Sequence, residues 1–334
     1  MSKSHPYWGA DLIDFIQIFF ARFLQFIRGD LTTEQLASDE IQIVVLALIG
    51  CSSALVGTFL VLKRMTMLAN SLSHTVLLGI VVAYLIAIPF APVGKEHLES
   101  ISIQTLLIAA LATACLTTVL TQGLTHVMKL QEDASIGLVF TTLFALSIVL
   151  VTCFTRNTHI GTEAVMGNID ALHLHDIKLA LWIAILDLIL IGALFKGFKL
   201  VAFDSHLASS LGFSPHLFNY LMMLLTSATA IAAFRAVGVL LLLAFIVGPV
   251  LTARLYTYRL KRMIALSIGI ALGCSWLSVA LSRHLLTVYH APLSTSGLLV
   301  VLIGGAFGVS LILVSWRRIF KIQKKSPHVF KENR

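Results

Sequence analysis

From residue 41 onward the chain alternates long apolar runs with short polar stretches. Each run approaches the roughly 20 apolar residues a helix needs to cross the hydrocarbon core of a bilayer. The pattern predicts nine spans, at Ile41–Leu62, Thr66–Ile88, Ile101–Leu124, Ser135–Phe154, Ile177–Phe195, His216–Phe234, Val237–Tyr256, Met263–His284 and Leu293–Trp316. In lipid, backbone polar groups must be paired within the protein, and a helix does this alone. The expected fold class is therefore all-α, a polytopic membrane helix bundle of about nine transmembrane helices. The sixth and seventh runs are separated only by Arg235, which predicts a tight hairpin or one broken helix.

Residues 12–27 follow another pattern, being interrupted by Asp14, Gln17, Arg22 and Gln25. On a helix, Asp11, Asp14, Gln17, Arg22, Gln25 and Arg28 share an arc of about 140°, with Ile, Leu and Phe on the rest. Such a segment is expected to lie in the membrane interface as an amphipathic helix; a short first span is the alternative. No small-residue cleavage site follows cleanly, so it does not read as a cleaved signal peptide. The expected organisation is an interfacial segment over 1–40, a transmembrane domain over 41–316 and a basic cytoplasmic tail over 317–334.

Composition agrees with the pattern. Apolar residues make up 58% of the 334, charged residues 12%, and mean hydropathy is +0.93. A soluble chain of this size could not hide so much apolar surface. The net charge of +8 would suit nucleic acid if it lay on one folded face. It lies instead in a few loops and after Trp316, so no nucleic-acid partner is expected, and the charge reads as an orientation signal. With the C-terminus in the cytoplasm and the N-terminus outside, 16 of the 24 basic residues fall on the inner side. Cys51, Cys115, Cys153 and Cys274 all sit in apolar runs at unrelated spacings, which suits packing, not disulfides or metal.

The chain carries no Walker-type phosphate loop, no zinc-protease helix motif and no nucleophile elbow, so an enzyme reading has no constellation to rest on. No permanently bound cofactor is expected. Asn70 and His74 stand four apart and share a helix face, with Ser71 and Ser73 adding hydroxyls. Such a set could replace part of a divalent cation's water shell, or it could simply hydrogen-bond neighbouring helices. A histidine inside a membrane segment is costly and marks a functional candidate. The internal stretch from Phe198 to Pro215 has Asp204 or Ser205 as an N-cap, Gly212 as a stop and Pro215 as a block to continuation. A helix of about two turns is predicted between them, with Leu207 and Leu211 on one side, suited to docking into a partner's groove or to packing on its own bundle. Glu132 and Asp133 head the fourth span, where carboxylates favour the helix dipole; gating is the sharper alternative. The external loop with His159, Glu163, Asp170, His173, His175 and Asp176 could receive a cation or stay solvated. Asp187 lies in mid-span and needs an internal partner. Gly269/Gly273 and Gly304/Gly308 permit close helix contact, read as packing within the chain in preference to a subunit interface.

These pieces together resemble the ABC-3 permease family, the membrane subunits of bacterial zinc/manganese/iron ABC importers. The stretch from Leu62 to His74 is similar to the family's arginine-rich turn and its G-D-A-[LI]-S-H segment. Gln131 to Gly137 resembles E-D-x-A-I-G, and Ala164 to Asn168 resembles L-x-G-N. Phe203 to Gly212 resembles the coupling segment F-D-x-x-x-A-x-x-x-G, and residues 236–241 and 249–254 resemble the span that follows. The resemblance implies an inner-membrane subunit that imports zinc, manganese or iron. It implies cytoplasmic ABC ATPase subunits that supply the energy, an extracytoplasmic metal-binding protein that delivers the ion, and a second permease copy or a related sister permease. Under it, His74, Asn70 and Ser73 would line the metal path. Phe203, Asp204, His206, Leu207, Ala208, Leu211 and Gly212 would seat in the ATPase, and Glu132 and Asp133 could gate. One departure stands out: the family's aspartate is Asn70 here and its glycine is Ala69. Loss of that charge suggests pairing with a sister permease that keeps it. The alternatives are a permease for an iron chelate or corrinoid, and a gradient-driven secondary metal transporter.

Overall fold

The computed structural model describes residues 6–7, 9–30, 35–87, 103–154, 169 and 172–325. Among these there is no strand. The helices are α1 (Leu12–Arg28), α2 (Ser38–Leu62), α3 (Thr66–Ala87), α4 (Ile103–Val127), α5 (Glu132–Phe154), α6 (Leu174–Ala193), α7 (Phe195–Phe203), α8 (Ser205–Ser210), α9 (Pro215–Val237), α10 (Val239–Tyr256), α11 (Leu260–Tyr289) and α12 (Thr295–Lys325). Five stretches of the described residues are long and apolar enough to cross a membrane: α2, Asp133–Leu150, Pro215–Ala233, α11 and Thr295–Arg317. A sixth arises if α6 and α7, which meet at a 73° bend, count as one span. That is fewer than the nine spans the apolar runs predict, although a helix occupies each run. The chain is an all-helical, multi-pass membrane protein.

Its polarity is arranged for lipid. Trp182, Leu188 and Ile189 of α6 and Val301, Leu311 and Ile312 of α12 are exposed, while Ser52, Ser53, Thr58, Thr226, Ser227 and Ser275 are buried. The buried hydroxyls avoid a desolvation penalty largely by donating to carbonyls one turn back, as Thr58 does to Ala54, Thr226 to Met222 and Ser275 to Ala271. Helix α2 forms the centre, packed against α6, α9, α10 and α11. Its approach to α10 is very close: a Cβ on Gly57 would lie 2.2 Å from the carbonyl oxygen of Ile246. Asp187 finds its partners here, accepting hydrogen bonds from Ser52 of α2 and from Thr229 of α9 at 2.9 Å.

Three expectations need correction. The break between α9 and α10 falls at Gly238, whose φ of 78° suits glycine, and Arg235 lies inside α9. The stretch after Phe195 is not loop up to the docking helix: α7 continues to Phe203, with Phe198 and Val201 buried. Among the described residues the glycine pairs have no close packing partner: a Cβ at Gly269, Gly273, Gly304 or Gly308 would meet nothing within 4 Å.

At the N-terminal end, α1 is clamped to the bundle. Phe15 and Phe19 pack on Trp276 of α11 at ring-centroid distances of 6.4 and 6.3 Å. Arg22 donates to Glu40 at 2.5 Å and to the Gln35 carbonyl at 2.9 Å. The buried Tyr7 hydroxyl donates to the same Glu40 carboxylate at 2.8 Å, and Arg283 of α11 forks onto Asp39 at 2.9 and 2.5 Å. Burial first, then the bond to Glu40, pushes the Tyr7 phenol up, and the Glu40 bond raises Arg22, so both keep their protons.

Candidate functional site

The turn from α2 to α3 sets the first candidate region. Arg64 adopts the left-handed conformation (φ 60°), and the Met65 amide reaches back to the Leu60 carbonyl at 2.9 Å. This reverses the chain and starts α3 at once. Lys63 in the turn donates to Asn219 of α9. One turn into α3, Asn70 is half-buried and, one turn later, His74 is 8% exposed. The imidazole sits against two rings of α5, Phe140 and Phe144, each with its centroid 5.0 Å away. Beyond it, Leu78 packs on Val139 and Leu143, closing the α3/α5 seam.

Among the described residues, the buried Nδ1 atom of His74 has no hydrogen-bond partner, and neither has Ser71 Oγ. An unpaired buried polar group costs about 1–3 kcal/mol, which favours any ligand able to supply the missing contact. The structure thus puts Asn70 and His74 on one helix but does not complete a ligand set around them. Among the described residues no three His, Cys, Asp or Glu side chains come together. The side chains of Ser73 and Glu132 lie outside the described ones, and Asp133 is exposed in the first turn of α5. Of the loop before α6, residues 155–168 and 170–171, and the His175 side chain, also lie outside, and with them His159, Glu163, Asp170 and the Ala164 to Asn168 stretch. Asp176 has a capping role, accepting from the His173 amide at 2.8 Å.

The second candidate region is α7 and α8. Asp204, extended at φ −151°, accepts from the amides of His206 and Leu207 at 2.9 and 3.0 Å, so it is the N-cap. At the other end Gly212 is left-handed (φ 84°), and the Phe213 amide bonds the Ala208 carbonyl at 2.9 Å. The helix between is six residues, Ser205–Ser210, close to the two turns expected. Ala208 is fully buried and anchors it, while Phe203, Leu207 and Leu211 are 62%, 48% and 58% exposed. Large apolar side chains grouped on a capped element make this a candidate contact surface. Phe198 and Phe218 hold this element to the bundle in an edge-to-face contact at 5.1 Å.

Sequence reasoning missed the Asp187–Ser52–Thr229 cluster and the Tyr7–Arg22–Glu40 and Asp39–Arg283 contacts. Asp187 was visible as an outlier in an apolar run; its partners, 135 and 42 positions away, were not.

The features fit a transporter subunit, and the relatives narrow the class. Residues 40–314 match the ABC 3 transport family, and the chain belongs to it. A "probable metal transport system membrane protein" of Chlamydia trachomatis is 39% identical over 320 residues, covering 96% of this chain and 97% of its own. The manganese transport system membrane protein MntD of Bacillus subtilis is 36% identical over 256 residues, covering 70% of this chain and 83% of its own. Among solved structures, PsaBC from Streptococcus pneumoniae in complex with Fab has the same fold, with a TM-score of 0.71 at 22% identity, covering 90% of this chain and 99% of that one.

Proposed function

We propose that this chain is the permease subunit of an ABC importer that moves a divalent transition-metal ion, zinc, manganese or iron, across the bacterial cytoplasmic membrane, with ATP hydrolysed on a separate subunit. The observation that carries the reading is the capped helix α8, with Phe203, Leu207 and Leu211 exposed beside it, in a chain of the ABC 3 family. In this reading Asp204 and Gly212 fix the segment's ends, Ala208 seats it on the bundle, Phe203, Leu207 and Leu211 meet the cytoplasmic ATPase, and His206 lies on the opposite side of the segment, toward α9. Closure of the ATPase would move α7 and α8 as one lever, and the bend into α6 would pass the motion to Asp187 and α2.

His74 is the residue proposed on the ion path, with Asn70 and Ser73 beside it and Glu132 and Asp133 as gate candidates. Its unpartnered Nδ1 supports a ligand role. Imidazole and amide oxygen are neutral, so the positive charge must be offset from elsewhere. A second permease, either a copy or a sister that retains an aspartate at the Asn70 position, would supply it. The open faces at Gly269, Gly273, Gly304 and Gly308 leave room for such a neighbour. An extracytoplasmic metal-binding protein would deliver the ion.

In the proposed topology nine spans occupy 41–316, the N-terminus is outside and 317–334 form an inner tail. Tyr7, α1 and the start of α2 brace the outer end. Helix α1 supports an interfacial position through three faces: Phe15 and Phe19 toward α11, Asp14, Gln17 and Gln25 exposed and polar, and Ile13, Phe20, Leu24 and Ile27 exposed and apolar. The last face suits the acyl boundary of a bilayer. The test is purification of the intact complex. Recovery of this chain with an ATPase, and of a sister permease with it, supports the proposal; recovery of the chain with no ATPase contradicts it.

A further inference from the structure

Behind the docking helix lies a cavity of about 310 Å³ between α4, α8 and α9. Ser205, His206 and Ser209 line it from α8, His216 from α9, and Thr121 and Thr125 from α4. At about 100° per residue, the three α8 residues lie on the side of the helix opposite Leu207 and Leu211. One face of α8 is therefore apolar and turned outward, and the other is polar and turned into the cavity. No Asp, Glu, Lys or Arg lines it among the described residues. Its donors are two imidazoles, hydroxyls and the Gln122 amide; the Asn219 amide oxygen already accepts from Lys63.

That donor set recognises a divalent transition metal better than an anion or an apolar ligand. Imidazole suits zinc, iron and related ions, with hydroxyl or water oxygens completing the shell. The volume leaves room for an ion and several waters, each of about 30 Å³ in the liquid. Without a carboxylate or thiolate such a site is weak, and a weak site fills only when the ion is abundant on its side of the membrane. The two imidazoles come from different elements, one from the docking helix and one from the foot of α9. An ion held by both would tie α8 to the bundle.

We infer that this cavity is a second metal site, with His206 and His216 as its nitrogen ligands, and that metal in the receiving compartment occupies it, braces α8 and slows ATP hydrolysis. The brace rests on the docking role proposed above for α8; the metal site itself does not. Feedback of this kind would make the importer stop when its cargo accumulates.

The test uses the intact complex in nanodiscs, without the metal-binding protein, and zinc as the probe. Zinc binding is measured at equilibrium and ATP hydrolysis is followed against free zinc. The site predicts that His216→Ala and His206→Asn each weaken one zinc site per chain by at least about tenfold, the lower end of what even an outer-shell change costs a metal site. Both variants should shift the zinc concentration that halves ATP hydrolysis by the same factor, and His74→Ala should not. Both side chains are exposed, so folding is not at stake. Zinc binding and inhibition unchanged in both variants of an assembled, ATP-hydrolysing complex would overturn the inference while leaving the importer reading intact. A chain that recruits no ATPase would overturn the brace together with the docking role, and zinc binding to the chain in nanodiscs would still decide the site.

Discussion

His74 carries the strongest residue-level argument, because its packing and its hydrogen bonding disagree. Two phenyl rings cover the imidazole at 5.0 Å, as they would an apolar side chain, yet Nδ1 is left without a partner. A phenylalanine would satisfy the rings and remove the orphan. Phenylalanine is somewhat larger, so His74→Phe is expected to cost no more than about 1–3 kcal/mol of thermal stability, the range of overpacking, while abolishing metal uptake. A stable variant with normal uptake would return His74 to packing. Asp187 behaves differently. Its carboxyl accepts from hydroxyls of two other helices; Asp187→Leu removes that acceptor but leaves Ser52 and Thr229 3.1 Å apart and Thr229 on the Leu225 carbonyl, so it should cost about 0.5–1.5 kcal/mol in thermal unfolding, and Asp187→Asn, which keeps an acceptor oxygen, less. Both residues were conspicuous in the sequence as polar outliers in apolar runs. The neighbours that distinguish them were not, since Ser52, Thr229, Phe140 and Phe144 look like ordinary span residues until the helices are assembled.

At the scale of elements, the end signals of α8 were readable. Asp204, Gly212 and Pro215 mark the cap, the stop and the block, and the structure uses the first two in the predicted roles. Asp204→Ala removes the acceptor of two amides and should cost about 1 kcal/mol of local helix stability. As α8 is exposed, the loss should be read in reduced transport per ATP hydrolysed more than in global melting. What the pattern hid was α7: residues 195–203 are too short and too mixed to register as an apolar period, and tertiary burial of Phe198 and Val201 makes them helical. The break at Gly238 was hidden because Arg235 drew attention to charge, whereas the chain breaks where φ is positive. Close approach of α2 and α10 makes its own prediction. Gly57→Ala places a methyl 2.2 Å from the Ile246 carbonyl oxygen, so one helix must move, at a cost of about 1–3 kcal/mol measured as a lower melting temperature.

At the scale of the molecule, the apolar runs foretold an all-helical membrane protein because lipid leaves a chain few other choices. Five or six described segments meet the length and apolarity of a span; the buried hydroxyls lie within a mainly apolar core, and large apolar side chains face outward. The N-terminal brace was only half legible. The amphipathic period showed α1, but the pairs Arg22–Glu40 and Arg283–Asp39 join positions 18 and 244 apart, and no local pattern encodes such distances. The same holds for the ion path. In the proposed path one chain offers a histidine and an amide, and the remaining ligands would come from the assembly. The account's central claim is that this assembly spends ATP to move a metal ion past His74. It is tested most directly by uptake of radiolabelled zinc, manganese and iron into proteoliposomes holding this chain with its ATPase and any sister permease, with the metal-binding protein added. The account predicts uptake of one of these ions that requires ATP and disappears in His74→Ala with the complex still assembled. ATP-independent uptake, or undiminished uptake in the variant, would contradict it.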